Sequence, residues 1–226
     1  MEKIIIVGAS GHGKVITEII EKNGQYEIYG FIDSFKKIGT NILGYKIIGD
    51  ENYIPYLMEK EGIAKGIIAI GDNLKRKKMF KKIKSISHNF DFISAIHPSA
   101  NISKYSTIGR GVAVMAGTVI NAEAQVGDFS IVNTKASLGH DSILEKYSSL
   151  SSGVTVGGNV TIGKFTAISI GATIVNNITI GKHTIIGAGA VVTRKIGNFQ
   201  IAYGIPAKFV QKRSKGDNYL INKDIS

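Results

Sequence analysis

The sequence contains no cysteine and no long apolar run, and both absences limit what the protein can be. Without cysteine, the chain forms neither a disulfide bond nor a thiolate metal site. No apolar stretch approaches the length of about 18 residues that marks a membrane-spanning helix. No charged leader followed by an apolar signal core opens the chain. We therefore expect a soluble cytoplasmic protein that does not insert into a membrane.

The chain also has little negative charge for its length of 226 residues. Its 28 lysines and arginines exceed its 17 acidic residues, which gives a formal net charge of +11 and indicates anionic partners. Much of the excess lies between Lys75 and Lys84, where interleaved apolar residues indicate the solvated face of an amphipathic helix. No nucleic-acid-binding motif is present, and aromatic residues do not alternate with the charges, so we expect no nucleic-acid partner.

From Ile102 to Val192 an aliphatic residue occupies every sixth position without exception. This sixfold repeat fits neither a helix of period 3.6 nor a two-residue alternation. It is typical of a solenoid in which each hexad supplies one short strand and one corner. Three hexads make one triangular coil, so the sixteen hexads predict a parallel β-helix of a little over five coils. The turn signals of a β-sandwich are absent.

Two other positions of the hexad have roles that the pattern predicts. A small or β-branched residue, such as Thr118 or Ser142, comes four residues after the aliphatic and is expected inside the narrow prism. A glycine or asparagine, such as Gly139 or Gly157, often follows the aliphatic directly. We expect it to supply the positive φ at which the chain turns.

Residues 1–96 have a different pattern, in which short apolar strands alternate with helical segments. This alternation predicts a small parallel sheet of the mononucleotide-binding kind. The expected strands include Lys3–Val7, Ile28–Ile32, Gly66–Ile70 and Phe92–Ile96. Pro98 ends this pattern, so we divide the chain into an α/β domain at 1–96, a β-helix with its cap at 97–210 and a frayed polar tail at 211–226.

Glycines at positions 8, 11 and 13 follow the first strand and precede a helical pattern. Their spacing differs from the G-x-G-x-x-G fingerprint, but glycines here let backbone N–H groups at a helix N-terminus approach a phosphate. Asp33, at the end of the second strand, is either a ribose ligand or a simple turn residue. Together the two features favour a nucleotide-containing ligand over a bare sugar.

Two of the five histidines, His140 and His183, fall within the repeat. Their separation in the sequence is not a multiple of the coil of three hexads, so we expect no metal site. His140 follows a corner and should point out of the prism beside Asp141. An imidazole can accept a proton from an attacking amine or hydroxyl, and a carboxylate can orient it. The alternative is a solvated surface histidine, which is what we expect of His183 and His88.

These motifs together resemble a known family. The chain is similar end to end to the hexapeptide-repeat sugar acetyltransferases with an N-terminal nucleotide-sugar domain, which are the PglD-like and NeuD-like enzymes. Within this family the motifs resemble in particular those of the UDP-4-amino-sugar N-acetyltransferases of bacterial glycan pathways. The matching segments are Val7–Gly13, Ile32–Asp33, Ile70–Asn73, His97–Pro98, Val132–Thr134, Gly139–Asp141 and Gly204–Lys208.

The resemblance implies a mixed fold, with a small Rossmann-like α/β parallel sheet followed by a left-handed parallel β-helix. It also implies a homotrimer with active sites between subunits and acetyl-CoA as the co-substrate. His140 would be the catalytic base, and Asp141 the carboxylate that raises its basicity. The implied substrate contacts are Ser10, Gly11, His12, Asp33 and Ser34, although relatives often have a second acid at the position of Ser34. The implied cofactor contacts are Ser149, Ile170 and Ala188, with Gly204–Lys208 completing the groove.

The expected reaction is acetyl-CoA-dependent N-acetylation of a UDP-linked 4-amino-sugar by direct transfer. An acyl-enzyme is not expected, because the chain has no cysteine and no serine paired with histidine in an elbow motif. O-acetylation of a sugar such as sialic acid is the alternative within the same class. A non-catalytic β-helix that binds a nucleotide sugar is the alternative from a different class, and the placement of His140 beside Asp141 argues against it.

Overall fold

The computed structural model describes residues 1–214 and residue 217. Its N-terminal part is an α/β unit, in which a short 3-10 turn at Glu51–Tyr53 precedes the second helix. The elements are β1 (Glu2–Val7), α1 (Gly11–Asn23), β2 (Tyr26–Ile32), β3 (Asn41–Ile42), β4 (Tyr45–Gly49), α2 (Ile54–Lys60), β5 (Lys65–Ile68), α3 (Asn73–Ile86) and β6 (Asp91–Phe92).

The sheet of this unit has the strand order β3-β4-β2-β1-β5-β6. All neighbouring strands are parallel except β3 and β4. The central strand β1 is buried, since Ile4, Ile5, Ile6 and Val7 are at most 1% exposed, as the continuous apolar run of a parallel strand predicts. After β2 and β4 the chain returns to the other side of β1 to form β5. This reversal places a crevice beyond the carboxyl ends of β1 and β5.

The C-terminal part is a parallel β-helix, and the predicted hexads are confirmed strand by strand. Every aliphatic of the series from Ile102 to Val192 is the second residue of a two-residue strand. Strands three hexads apart pair in parallel, as Ile120 does with Leu138. The strands are β7 (Ala95–Ile96), β8 (Asn101–Ile102), β9 (Thr107–Ile108), β10 (Ala113–Val114), β11 (Val119–Ile120), β12 (Gln125–Val126), β13 (Ile131–Val132), β14 (Ser137–Leu138), β15 (Ile143–Leu144), β16 (Ser149–Leu150), β17 (Thr155–Val156), β18 (Thr161–Ile162), β19 (Ala167–Ile168), β20 (Thr173–Ile174), β21 (Thr179–Ile180), β22 (Ile185–Ile186) and β23 (Val191–Val192).

The three sheets are the faces of a triangular prism. Face 1 contains β7, β10, β13, β16, β19 and β22; face 2 contains β8, β11, β14, β17, β20 and β23; face 3 contains β9, β12, β15, β18 and β21. The aliphatic side chains fill the interior together with the small residues predicted to lie beside them. Thr118 and Ser142 are both fully buried. Such buried hydroxyls donate to a corner carbonyl of the next coil, as Ser142 does to Gly157 at 2.9 Å, which removes the cost of burying them.

The glycines directly after the aliphatics do not supply the positive φ, so that prediction is wrong. The left-handed backbone lies two residues later in the corner, at non-glycine residues such as Asp141 (φ 58°) and His183 (φ 54°) and at a second set of glycines such as Gly153 (φ 68°). A Cβ at Gly139 would lie 2.2 Å from the carbonyl oxygen of Gly157 in the next coil. These glycines are therefore required because successive corners stack closely.

The α/β unit packs on face 1 of the prism. Four outward-facing residues of this face, Ala113, Ile131, Ser149 and Ala167, are at most 5% exposed, whereas many at the same position on faces 2 and 3 are exposed. The predicted strand Phe92–Ile96 is in fact divided between the two units. Phe92 pairs with β5, while Ala95 and Ile96 pair with β10, so the β-helix begins two residues before the expected boundary.

The corner between faces 3 and 1 has a column of stacked rings. Phe129, Tyr147, Phe165, His183 and Phe199 stack one per coil, with centroids 4.6–5.4 Å apart and planes inclined by 5–17°. His183 is only 8% exposed, so the prediction of a solvated surface histidine is wrong. Its imidazole is protected because it lies between the ring of Phe165 in one neighbouring coil and the ring of Phe199 on the other side.

Helix α3 anchors the α/β unit to this corner through Arg76, which is 1% exposed. Its guanidinium donates to the carbonyl oxygens of Phe129 (2.7 Å), Ile70 (2.8 Å) and Gly71 (2.9 Å) and to the side-chain oxygen of Asn73 (2.6 Å). The expectation that the whole basic stretch is a solvated face is therefore wrong for Arg76. Only part of the stretch, including Lys75, Lys78 and Lys81, is exposed as expected.

The end of the chain is more ordered than predicted as far as it is described. Strand β24 (Gln200–Gly204) extends face 1 beside β22, and β25 (Ala207–Lys212) returns antiparallel to it. The frayed tail predicted from position 211 is therefore wrong for the first residues, because Gln211 pairs with Ile201. Residues 215, 216 and 218–226 lie outside the described part of the chain. Within residues 1–214 and at 217, no helix is long and apolar enough to cross a membrane.

Candidate active site

His140 and Asp141 follow β14, at the corner between faces 2 and 3. The Nδ1 of His140 lies 2.6 Å from Oδ2 of Asp141, and the two side chains are 64% and 58% exposed. A carboxylate only accepts hydrogen bonds, so the proton of this bond belongs to Nδ1 and the lone pair is left on Nε2. The pair is thus an oriented imidazole with its basic nitrogen open to an incoming group.

The imidazole of His140 lies against Gly158 in the next coil. A Cβ at Gly158 would be 2.4 Å from Nε2 and 2.5 Å from Cε1 of the ring. Gly158 is not among the residues of positive φ, so its backbone would accept any side chain and the glycine is needed for space alone. Its N–H donates to Oδ1 of Asn176 at 3.0 Å. Sequence reasoning missed Gly158; its position one full coil after His140 was the available signal.

The glycines before α1 have separate roles. Gly8 (φ 107°) packs against the chain, since a Cβ there would lie 2.8 Å from the carbonyl oxygen of Ala69. Gly13 packs against Gly8, whose oxygen would lie 2.3 Å from its Cβ. Gly11, by contrast, has nothing within 4 Å of the position of a Cβ. Beside it, the exposed Ser10 makes no side-chain capping bond to α1. The N-terminus of α1 is therefore uncrowded at Gly11 and is not capped by the Ser10 side chain, as an anion site requires.

His12 differs from the other proposed substrate ligands because it is held neutral. Its Nε2 is buried without a hydrogen-bond partner in the structure, although part of the side chain remains exposed. Burial first, and then the positive charge of Arg76, lower the pKa of His12 to about 4. At neutral pH His12 can therefore offer a phosphate a hydrogen bond but not a positive charge.

This low pKa predicts a pH dependence of stability. Between about pH 4 and pH 6.5 the unfolded chain binds a proton at His12 that the folded chain does not, so protonation favours unfolding. The contribution of neutral His12 is complete above pH 6.5 and is lost as the pH falls towards 4, by roughly 2–3 kcal/mol. We expect His12→Gln to flatten the free energy of unfolding across this range, measured by urea denaturation. Parallel curves for the variant and the wild type would contradict the burial of His12.

Asp33 organises the loops that carry the other substrate residues. Its Oδ2 accepts the N–H of Ala9 at 2.8 Å, and its Oδ1 accepts the N–H groups of Phe35 (2.9 Å) and Lys36 (3.1 Å). Within the chain Asp33 is therefore a turn residue, which is one of the two predicted roles. It also connects this turn to the loop of Ala9 that precedes α1. Its neighbour Ser34 is exposed, and its hydroxyl donates to Glu51.

Asp33 and Ser34 line an open cleft of about 610 Å³ at the carboxyl ends of β2 and β4. Its other lining residues are Lys36, Ile38, Ile48, Gly49, Asp50, Asn52 and Tyr53. The cleft is large enough to receive a nucleobase with its ribose, and it has both apolar walls and polar edges, as ligand sites do.

The three proposed cofactor residues do not lie together. Ile170 and Ala188 are exposed at the corner between faces 1 and 2, in adjacent coils, since the N–H of Gly189 donates to the carbonyl of Ile170. Ser149 lies in β16 on face 1 and is 5% exposed, and its hydroxyl accepts from Nδ2 of Asn73 at 3.2 Å. Because Asn73 of α3 covers Ser149, Ser149 lies apart from the exposed surface of Ile170 and Ala188, and its cofactor contact stays a prediction.

Within one chain the candidate residues thus form separate groups. The nucleotide-side residues belong to the α/β unit on face 1, whereas His140 lies at the corner opposite face 1, and Ile170 and Ala188 lie at a third place. Among the described residues, no group of three or more histidine, aspartate or glutamate side chains could hold a metal ion.

Comparison with known proteins gives matches to parts of this chain, of which one falls on the N-terminal unit. Residues 3–83 match the model of the PglD N-terminal domain. The chain is also 34% identical over 117 residues to UDP-N-acetylbacillosamine N-acetyltransferase of Bacillus subtilis. That match covers 51% of this chain and about half (52%) of the Bacillus protein.

Two solved structures are similar along nearly the whole chain. Perosamine N-acetyltransferase from Caulobacter crescentus, in complex with CoA and GDP-perosamine, is 35% identical, with 94% of this chain and 98% of that chain covered and a TM-score of 0.88. The acetyltransferase domain of PglB from Neisseria gonorrhoeae, in complex with acetyl coenzyme A, is 32% identical, with 92% and 99% covered and a TM-score of 0.85. The chain therefore belongs to the left-handed β-helix, hexapeptide-repeat sugar acetyltransferases of the PglD type.

Proposed function

We propose that the protein transfers the acetyl group of acetyl-CoA to the amino group of a UDP-linked 4-amino-sugar, for bacterial glycan biosynthesis. The observation that carries this proposal is the exposed His140–Asp141 pair, whose Nε2 is basic and open. Both relatives with a named acceptor are N-acetyltransferases of sugars. A scaffold without catalytic activity would have no need for an oriented, exposed imidazole.

The nucleotide part is supported by the glycine loop, the N-terminus of α1 and the neighbouring cleft. The name of the Bacillus relative favours UDP. The Caulobacter relative was solved with GDP-perosamine, so a GDP-linked 4-amino-sugar is the second candidate. O-acetylation of a free sugar such as sialic acid accounts less well for a cleft beside a phosphate-type helix N-terminus.

The mechanism follows from the geometry of His140. As the sugar nitrogen forms its bond to the thioester carbonyl carbon, Nε2 of His140 accepts a proton from that nitrogen. The C–S bond then breaks, and the proton returns from Nε2 to the leaving sulfur, so that an amide and free CoA result. Asp141 keeps Nδ1 protonated and stabilises the imidazolium formed between the two steps. A backbone N–H at a corner would stabilise the carbonyl oxygen.

The separation of the three groups of residues supports an active site between subunits of a homotrimer. A sugar whose nucleotide is held by the α/β unit on face 1 cannot reach His140 of the same chain, because the prism lies between them. A neighbouring prism can bring its own His140 corner to that position. The same packing would place the exposed Ile170 and Ala188 opposite a second chain. We expect a trimeric mass by light scattering at assay concentrations.

The corner of Ile170 and Ala188 suits the pantetheine arm of CoA. Ile170 is 64% exposed, and beyond it Tyr203 and Ile205 are 52% and 78% exposed. An apolar strip of this kind gains free energy by burial against an alkyl chain. Lys208, in the returning strand β25, lies opposite Tyr203 and adds a positive charge near the same end.

The test of the proposal is CoA release from acetyl-CoA in the presence of a UDP-linked 4-amino-sugar. A thiol reagent reports only CoA, because the protein itself has no cysteine. We expect turnover with the UDP-sugar and less with the GDP-linked sugar. Greater turnover with the GDP-sugar would select the second candidate. Turnover with free sialic acid alone would indicate O-acetylation. If no acceptor gives turnover, the proposal that the protein is an acetyltransferase is contradicted.

Gly158 provides a prediction specific to this mechanism. Gly158→Ala places a methyl group where the His140 ring lies, so the ring must leave its bonded position beside Asp141. We expect kcat to fall by about 10–100-fold with little change in KM, since a displacement of about 1 Å can cost that much. The control is Ala122→Ser, an exposed residue at the same corner position one coil before His140. Unchanged kcat in Gly158→Ala would show that ring position does not limit the reaction.

A further inference from the structure

A chain of hydrogen bonds lies behind the cleft of the α/β unit. The hydroxyl of Ser34 donates to Oε2 of Glu51 at 2.5 Å, and Oε1 of Glu51 accepts from Nζ of Lys82 on α3. The side chain of Glu51 is 2% exposed, whereas Ser34 is exposed and lines the cleft. A buried acid, held by a lysine, thus lies directly behind a surface hydroxyl.

This arrangement fixes the direction of the Ser34 hydroxyl. A serine hydroxyl has one hydrogen to donate and two lone pairs that accept. A carboxylate that is paired with a lysine can only accept, so the hydrogen of Ser34 is committed to Glu51. Towards the cleft Ser34 therefore offers lone pairs alone. A ligand group that donates an N–H is stabilised there, and one that accepts meets an opposing lone pair.

We propose that Ser34, fixed by Glu51 and Lys82, selects nucleotides whose base carries a ring N–H, which are the keto bases uracil, thymine and guanine. The nitrogen at the pairing edge is a donor in uracil and guanine, but an acceptor in cytosine and adenine. The inference rests on the proposed function, since it takes the cleft as the site of the base. It goes beyond that function by assigning base selection to Glu51, a buried residue that does not line the cleft.

Glu51→Gln reverses the direction of the hydrogen bond between residue 51 and Ser34 and keeps the shape of the side chain. Glutamine has one side-chain oxygen, and Lys82, which can only donate, retains it. The amide NH₂ then faces Ser34, so the serine accepts from Gln at position 51 and its own hydrogen becomes available to the cleft. We expect this variant to lose its preference for a ring N–H. Ser34→Ala removes the hydroxyl altogether and should lose the same preference.

The experiment is calorimetric titration of the full-length protein with UDP and with CDP, which differ only at the pairing edge of the base, and of the wild type also with GDP. We expect the wild type to bind UDP on the order of tenfold more tightly than CDP, the value of one well-matched hydrogen bond. In Glu51→Gln and in Ser34→Ala the ratio should fall close to one. The matched control is Glu59→Gln, an acid-to-amide change at a side chain that is 72% exposed, and it should keep the wild-type ratio.

The outcomes separate this inference from the function on which it rests. If the wild type binds none of UDP, CDP and GDP, the proposed nucleotide-sugar function fails. If the wild type binds UDP and CDP equally, or if it prefers UDP and both variants retain that preference, the inference is overturned while nucleotide binding stands. Should Glu51→Gln fail to fold, Ser34→Ala still decides, because its side chain is exposed.

Discussion

Replacement of His140 by alanine is expected to lower kcat by about 10²–10⁴-fold, the contribution of a positioned general base. The loss should fall on kcat more than on KM, because the imidazole acts on the proton of the attacking amine and does not hold the nucleotide. The structure supports a large effect, since Asp141 occupies Nδ1 of the ring and Nε2 is left to accept the proton and to return it. The measurement is CoA release under saturating acetyl-CoA and UDP-sugar.

Two variants make this result specific. Asp141→Asn retains a side chain that tolerates the left-handed backbone of this position (φ 58°) but removes the negative charge, so we expect a smaller loss, of about tenfold or more. His88→Ala removes an exposed histidine of the α/β unit and should leave kcat unchanged. Equal turnover in wild type and His140→Ala, with acetyl-CoA and sugar both bound, would remove His140 from the mechanism.

Replacement of Arg76 by methionine is expected to lower the free energy of unfolding by about 3–5 kcal/mol, the combined effect of losing several buried hydrogen bonds to a charged group. The guanidinium makes four hydrogen bonds of 2.6–2.9 Å, and methionine would fill much of the volume but leave the carbonyl oxygens buried without a donor. Each lost bond to a charged group and each orphaned acceptor costs about 1–3 kcal/mol. Because one of these oxygens belongs to Phe129 of the β-helix, the loss also weakens the attachment of the α/β unit.

The measurement is equilibrium denaturation in urea, with Lys78→Met as the matched control. Lys78 lies on the same helix and is exposed, so its substitution should change stability by no more than about 0.5 kcal/mol. Arg76→Met should also speed hydrogen exchange in α3 and in the corner that contains Phe129. A stability equal to that of Lys78→Met would mean that the buried hydrogen bonds of Arg76 contribute nothing to the docked arrangement.

The register of the β-helix could be predicted residue by residue, whereas the role of its glycines could not. To place an aliphatic in the interior at every sixth position, only the period of the sequence is needed, because each interior position recurs in every coil. The steric need for Gly139 depends instead on the carbonyl of Gly157 one coil away. A pattern of neighbours along the sequence gives no measure of the distance between successive corners, so the positive φ was assigned two residues too early.

The sequence contains a signal that shows which face of the prism the α/β unit packs on, and the prediction did not use it. At intervals of one coil, the outward positions of face 1 are Ala95, Ala113, Ile131, Ser149, Ala167 and Ile185, all small or apolar. The corresponding positions of the other faces include threonine, glutamine and asparagine. Ser149, which the family resemblance implies as a cofactor contact, is one of these face 1 positions, and within the chain it is covered by Asn73 of α3.

The sequence alone determined that the chain folds into an α/β sheet followed by a β-helix, and that His140 lies outward beside Asp141. These features depend on local order, which is the period of the hexad, the glycines before a helix and two adjacent polar residues at a corner. The tertiary structure decided what lies next to them. It placed Gly158 beneath the imidazole, Glu51 behind Ser34 and Arg76 inside the junction, because each of these contacts joins residues distant in the sequence. It also placed His140 on the far side of the prism from the α/β unit, since only the closed three-faced coil sets a corner opposite a face.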